Sequence, residues 1–375
     1  MNKNIIMAIV SLLLLPSVMI TSVSGSDSIV VTSGETIYVD DEYNSSTPGW
    51  GIDHFNVIQD AIDNVTSGDT VFVYNGIYYE TVVIDVENIC LIGENKENTI
   101  INGSGKNHVI AIYADNTKIS NFTVMNSSKD DCFDAGIYAT SKNNVFTNNV
   151  ILENLNGVIT HASEAYTEML NTIKNNILTN NVYAIRLRDS SKNIITDNHI
   201  LSNDIGIKTI NCKENSIKRN IIKNNNIGLD LTGASFIVSN NIISNNSKGI
   251  YICGSENNFF NNIISKNSKG VHVHGYDHNR FEKNEFINND CGIHLQGVAG
   301  HQPYAYRNII IKNNFINNSN HAETFNFQIW FRNYWDDWNG LDYYFYIFSP
   351  YWLSKIFPYT NVDLLPAKEP YDIDT

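Results

Sequence analysis

The chain has 375 residues, 42% hydrophobic and 17% charged, with 39 acidic against 25 basic side chains and a net charge of −14. That length suits one large domain or two ordinary ones, and the acidic balance excludes a nucleic-acid surface, which needs clustered Lys and Arg. Asparagine is the outlier at 57 residues. It tolerates left-handed backbone and stacks its amides, so the excess points to repeated tight turns; its alternation with Ile, Val, Phe and Leu excludes a disordered Asn-rich tract.

In chain order, residues 1–25 read as an export signal. Lys3 gives a positive start, residues 5–20 an apolar stretch interrupted by Pro16, and Val23-Ser24-Gly25 small residues for cleavage before Ser26. An uncleaved membrane anchor is the alternative, but the stretch is short and carries a proline. No other stretch approaches the roughly 18 apolar residues of a transmembrane helix. The mature chain is therefore expected without a transmembrane segment, secreted or held at the cell surface.

Residues 26–120 are expected to form an N-terminal cap and the first turns of a coil. Residues 36–40 read as a strand, and residues 55–65 have helical spacing at Phe55, Ile58, Ala61, Ile62 and Val65. Strand-like runs at 70–74 and 81–84 follow. The five cysteines (Cys90, Cys132, Cys212, Cys253, Cys291) are odd in number and lack C-x-x-C spacing, which excludes a disulfide framework and leaves small buried hydrophobes as the plain reading. N-x-S/T sequons at Asn44, Asn64, Asn102, Asn121, Asn126, Asn245 and Asn317 would be open to glycosylation in an exported protein.

Residues 121–323 repeat. Anchors at Asn121, Asn149, Asn176, Asn198, Asn220, Asn241, Asn262, Asn284 and Asn314 are each followed by mostly apolar residues. The central steps, from Asn176 to Asn284, are 22, 22, 21, 21 and 22 residues; the flanking steps of 28, 27 and 30 absorb insertions. From Asn149 to Asn284 a small residue stands eight positions after each anchor: Gly157, Ala184, Gly206, Gly228, Gly249, Gly270 and Gly292. The chain then alternates, as in Gly249-Ile250-Tyr251-Ile252, which is a strand with one buried face. Strands this short, recurring without helices between them, predict an all-β parallel coil, right-handed by the chirality of parallel crossovers. Nine turns would span roughly 40 Å. The glycines are expected to supply turn conformations closed to other residues, and the aligned asparagines to hydrogen-bond along the stack. From Phe325 the repeat is expected to dissolve into an aromatic-rich C-terminal cap over residues 324–375, holding Trp330, Tyr334, Trp335, Trp338 and Trp352 among others. A sugar-stacking platform is the sharper alternative for these rings.

These N-x-I-x-x-N coils resemble the parallel β-helix repeats of the pectate-lyase-like superfamily, most closely its NosD-like and carbohydrate-binding or sugar-hydrolysis branch. The opening Ile37-Tyr38-Val39-Asp40-Asp41, then Phe55-Asn56-Val57-Ile58-Gln59-Asp60-Ala61-Ile62 and Gly68-Asp69-Thr70-Val71, is similar to that group's N-terminal cap, as Asn333-Tyr334-Trp335 and Pro370-Tyr371 are to its C-terminal end. The resemblance implies the right-handed parallel β-helix fold and a choice among lyases, hydrolases, adhesins and accessory proteins of copper-enzyme maturation.

If the residue after each glycine points inward, the next points out. The outward positions are then Tyr138, Ile159, Arg186, Lys208, Asp230, Tyr251, His272 and His294. Two residues further along stand Thr140, His161, Arg188, Ile210, Thr232, Cys253, His274 and Gln296. Asp230, Lys208 and Arg186 have the residue types for uronate chemistry, in which a base takes the proton beside a carboxylate that cations neutralise. The same charges read as plainly as cross-strand ion pairs on a solvated face. His272, His274 and His294, with Cys253 in the adjacent turn, form a candidate copper or zinc set, against the plain alternative of exposed polar histidines. Arg188, Tyr251, Tyr304 and Tyr306 are candidate binding residues. The insertions 162–171 and 297–308 are expected to wall this face. The favoured function is a binding surface for polysaccharide or glycan without catalysis; a polysaccharide lyase or hydrolase, and a NosD-like copper-handling accessory, are the alternatives.

Overall fold

A computed structural model describes residues 34–296, 308–324, 328–338, 344–346 and 362–373. The N-terminal stretch expected to be an export signal, residues 297–307 with Tyr304 and Tyr306, and most of the aromatic-rich tail lie outside the described residues. Among those described, no helix is long and apolar enough to cross a membrane.

The chain winds as a coil of parallel strands stacked in sheets of 16, 12 and 11 strands. Register fixes the winding: Ile194–Thr196, His199–Leu201 and Ile205–Lys213 belong to the three sheets in turn, and each pairs in parallel with its counterpart one turn later. The strands of the first two sheets are three residues long in most turns. From the strand Val145–Thr147 to the strand Glu285–Ile287, each is followed by one residue in the left-handed region and one buried Asn. Asp197 and Asn198, then Ser202 and Asn203, illustrate the corner, with φ of 58° and 57° at the first residue of each. The turns outnumber the nine expected: the sheet that carries the alternating strands has 11 members and spans about 48 Å at the usual strand separation.

The buried asparagines form ladders, as expected. Asn198 receives the Asn176 backbone N–H through its Oδ1 (3.0 Å) and donates from Nδ2 to Ile173 O (2.8 Å) and Asn220 Oδ1 (3.0 Å). The same pattern runs from Asn149 through Asn176, Asn198, Asn220, Asn241, Asn262, Asn284, Asn313 and Asn333. Asp363 closes it by accepting from the Asn333 backbone N–H and Nδ2. A second ladder runs from Asn154 to Asn318, and a third, broken by Phe236, stands at the remaining corner.

Two outer anchors are corrected. Phe122, not Asn121, aligns with Asn149, and Asn313, not Asn314, follows Asn284. Asn121 sits one place earlier, in the left-handed corner position at φ 66°. The terminal steps therefore shorten by one residue each. The glycine reading is corrected too. Gly206, Gly228, Gly249, Gly270 and Gly292 carry no left-handed φ; a Cβ at Gly228 would stand 2.6 Å from the Gly249 carbonyl oxygen. They are required by close backbone approach, and the left-handed corners are built mostly by Asn, with Asp, Lys, Glu, Arg and Ser at others.

The interior is a continuous apolar column. Ile200, Ile222, Ile243, Ile264, Phe286, Phe315 and Trp335 stack along one sheet, ending in parallel rings 4.7 and 4.3 Å apart. Each fully buried branched side chain contributes about 1.5–3 kcal/mol. The repeat does not dissolve at Phe325. One more turn follows, with Gln328 and Asn333 as ladder rungs and Trp330 and Trp335 buried in the column. At the N-terminal end the expected helix contracts to Ile58–Ile62, burying Ile58, Ala61 and Ile62; Phe55 belongs to a strand. The Glu80 carboxylate caps the helix, accepting from Ile58 N and Gln59 N at 3.0 and 2.9 Å. The Gln59 amide pairs with the backbone of Val83, covering the open edge of the 11-stranded sheet as an added strand would.

Candidate functional site

The outer face of the 11-stranded sheet collects the sequence candidates. Consecutive register partners run Tyr138, Ile159, Arg186, Lys208, Asp230, Tyr251, His272, His294, Glu323 in one vertical row. Beside it, His161 pairs with Arg188, Arg188 with Ile210, Thr232 with Cys253 and His274 with Gln296. The first row therefore keeps its register from turn to turn, although Ile159 in it is fully buried, and the second row is broken by a register shift between Thr209 and Cys212.

The row divides into two chemically distinct halves. In the N-terminal half, Arg186 is 9% exposed and its Nη1 donates to the Cys132 carbonyl at 2.7 Å. Its guanidinium lies 5.8 Å from the Phe133 ring and 5.3 Å from the Tyr183 ring, and Arg188 lies 5.1 Å from Phe133 on the same platform. Arg188 Nε donates to Asp189 at 3.2 Å. Among the described residues, Arg186 has no carboxylate within 4.0 Å, and its Nε is buried without a partner. His161 stacks on Phe133 at 4.8 Å, and its Nδ1 lies 3.5 Å from the Tyr138 hydroxyl. Burial and then the Arg188 charge hold the imidazole pKa below its ordinary value, so it is neutral at pH 7. His108 stacks on Tyr138 at 4.1 Å, with exposed Tyr113 edge-on beyond.

Sequence reasoning missed Phe133 and the Cys132 carbonyl. They sit on a loop inserted before the strand Ala135–Ala139, which reaches across to Arg186. The misplaced Asn121 anchor hid this insertion. Counted from Phe122, Gly136 comes 14 positions on rather than eight, and the surplus is this loop.

Lys208 and Asp230 pair directly across adjacent strands, and Asp230 is only 6% exposed. Arg186 is the register neighbour of Lys208, yet its side chain turns to the Cys132 loop. The structure thus joins two of the three residues proposed for uronate chemistry and separates the third from their ion pair.

In the C-terminal half, His272 Nε2 and His274 Nδ1 both face the Gln296 amide oxygen, at 2.9 and 3.2 Å. The His272 and His294 rings stand edge to face at 4.8 Å, with Tyr251 edge-on to His272 at 5.2 Å. Burial lowers the His272 pKa to about 4, and burial likewise lowers that of His294, so both rings are neutral at pH 7. Cys253 lies beside Tyr251. The donors that gather are Cys291, His294 and Glu323, whose ligand atoms all lie within 4.8 Å of one another. Of the proposed metal set, His294 alone belongs to this group. Glu323 was missed because the Asn314 anchor shifted the last turn by one residue.

Two family models match overlapping stretches of this chain. The one described as "Right handed beta helix region" matches residues 109–260, and "Periplasmic copper-binding protein (NosD)" matches 229–351. The chain is a right-handed parallel β-helix. Among solved structures, it is similar to the Azotobacter vinelandii mannuronan C-5 epimerase AlgE6 A-module, at 14% identity and TM-score 0.55, over 74% of this chain and 87% of that one. A PL6 alginate lyase in complex with a trisaccharide aligns at 13% identity and TM-score 0.56, over 80% of this β-helix and 84% of the lyase. XylC, solved with xylose, aligns at 12% identity and TM-score 0.52, over 76% and 75%. A comparison with curated protein sequences returns no match.

Proposed function

We propose that this exported β-helix binds an acidic polysaccharide along the outer face of its 11-stranded sheet, without catalysis. The observation that carries the reading is Arg186: a nearly buried guanidinium with an unpartnered Nε and no carboxylate beside it among the described residues. A buried cation without a counter-ion is costly, and a uronate carboxylate would relieve that cost with charge-assisted hydrogen bonds. Arg188, Phe133, Tyr138 and Tyr113 extend the surface with a second cation and rings suited to apolar sugar faces. The solved structures that share this fold include proteins named for mannuronan and alginate, which favours a uronate polymer. Export rests on the apolar N-terminal stretch and on the periplasmic description of the NosD family.

Binding is preferred to catalysis because Lys208, the candidate base, is engaged by Asp230. Binding of polymannuronate, polygalacturonate and a neutral glucan by calorimetry tests the proposal. Preference for the acidic polymers, with roughly tenfold loss in Arg186→Ala and none in His274→Ala, is expected. Equal affinity for the neutral glucan would sink it. Release of unsaturated sugars from either acidic polymer, abolished in Asp230→Ala, would make the protein a lyase instead.

A further inference from the structure

We propose that Cys291, His294 and Glu323 form a binding site for a divalent, zinc-type metal ion, separate from the Arg186 surface. Cys291 and His294 stand on the strand Cys291–Gln296, and Glu323 on the next turn, Asn320–Thr324. Register pairs Cys291 with Asn320 and His294 with Glu323, so the three side chains share one corner of the outer face. Their ligand atoms already lie within 4.8 Å of one another. Donors around a tetrahedral zinc, at about 2.0–2.3 Å from the ion, stand about 3.3–3.8 Å apart, so rotamer adjustment on a fixed backbone suffices.

The donor chemistry is ordered for a metal. His294 is 7% exposed and its Nδ1 lies 2.7 Å from Glu323 Oε2, a hydrogen bond that a metal would replace. His272, on the preceding turn, presents a buried Nδ1 with no partner, its ring 4.8 Å from that of His294. That orphaned nitrogen stands outside the three gathered donors, a buried polar atom beside them that still lacks a partner. Binding releases the thiol proton, so uptake strengthens as pH rises.

The set does not suit copper(I), which prefers thiolate and thioether donors. A thiolate, an imidazole and a carboxylate fit a borderline divalent ion, with a fourth position for water. Cys253 and His274, donors expected from sequence, stand outside the gathered group, and His274 Nδ1 faces the Gln296 amide oxygen instead.

Titration of the purified protein with zinc and with cobalt(II) tests the site. One ion per chain is expected, with a thiolate-to-cobalt charge-transfer band in the near ultraviolet. Cys291→Ser should abolish the band and lower zinc affinity at least a hundredfold with an unchanged melting temperature. Glu323→Gln, which keeps a hydrogen-bond acceptor for His294, should lower affinity about tenfold, while Cys253→Ser and His274→Ala leave it intact. Failure of the wild type to take up zinc overturns the proposal. So does a cobalt band that survives Cys291→Ser, or a copper(I) site lost in Cys253→Ser.

Discussion

The interior and the outer face of the same strands follow opposite rules. Inside, one residue type recurs at each level: Asn at the corners, branched aliphatic or aromatic side chains between them. Outside, no two neighbouring turns of the row from Tyr138 to Glu323 need match, and between them they hold a cation–aromatic group, an ion pair and an imidazole–carboxylate–thiol group. The difference follows from what each face must satisfy. An interior amide has donors and acceptors on the turns above and below, so replacing it disturbs two turns at once. An outward side chain meets solvent, and the backbone ladder holds its position whatever its chemistry. The interior is thus a ruler, and the outer face is written on it.

The largest effect should come from breaking the ruler. Asn220→Ala removes the acceptor for the Asn198 backbone N–H and Nδ2 and the donor to Ile195 O and Asn241 Oδ1. With each orphaned buried group costing about 1–3 kcal/mol, a loss of about 3–5 kcal/mol is expected in urea unfolding. Thr232→Ala, on the outer face of the same turn, should change stability by less than about 1 kcal/mol. Equal losses would erase the distinction.

A second test sits where the ladder ends in a carboxylate. Asp363 accepts from Asn333 N, Asn333 Nδ2 and Trp335 Nε1, and its Oδ1 is buried without a partner. Burial raises its pKa to about 7. Between the ordinary carboxylate range and pH 7 the folded chain holds a proton that the unfolded chain lacks. This group's stabilisation is therefore complete at acid pH and is lost as pH rises through 7. A decline on the order of 2–4 kcal/mol between pH 4 and 8 is expected in urea midpoints. Asp363→Asn, which restores the rung used elsewhere, should flatten that component; an unchanged profile would assign the pH dependence to another group.

Smaller still is the effect of backbone proximity. Gly228→Ala places a Cβ 2.6 Å from the Gly249 carbonyl oxygen, and about 1–3 kcal/mol is expected from the forced shift. Gly105→Ala, at φ 72° with open space around it, strains the backbone without crowding, at about 1 kcal/mol. A larger loss at Gly105 would show that conformational freedom, not space, decides the glycines of this fold.

Most of the coil was legible because the interior repeats and a repeat can be counted. The outward row followed from the same count in every turn between Asn149 and Asn284. It failed where the rung is not Asn: Phe122 takes the first place of its ladder, so the count slid to Asn121 and concealed the loop that brings Phe133 to Arg186. At the other end, consecutive Asn313 and Asn314 offered two anchors, and the wrong one displaced Glu323 from the row. The last turn was missed because Trp330 and Trp335 do the work of isoleucine in a widening column, and aromatics read as surface when their partners are unknown. The chemistry of the outer face was least legible, since each contact there joins residues from separate turns and no local spacing encodes which rotamers meet.

The smallest expected effect concerns the other asparagine of each corner. Asn occupies many of the left-handed positions, among them Asn148, Asn175, Asn180, Asn224, Asn240, Asn245, Asn261, Asn288 and Asn317, but Lys266 takes one at φ 55°. The left-handed region costs an ordinary L-residue about 1–2 kcal/mol and costs Asn less, because its short side chain bonds locally. Lys266 is exposed, and its backbone N–H donates to Ile287 O at 3.0 Å whatever the side chain. Lys266→Asn should therefore raise stability by about 0.5 kcal/mol, read as a small upward shift of the urea midpoint with an unchanged slope. The same substitution at the outward Lys248, in extended backbone over the Tyr251 ring, should give no gain. If both behave alike, the asparagine excess answers to the buried rungs alone, and the left-handed corners tolerate any side chain at equal cost.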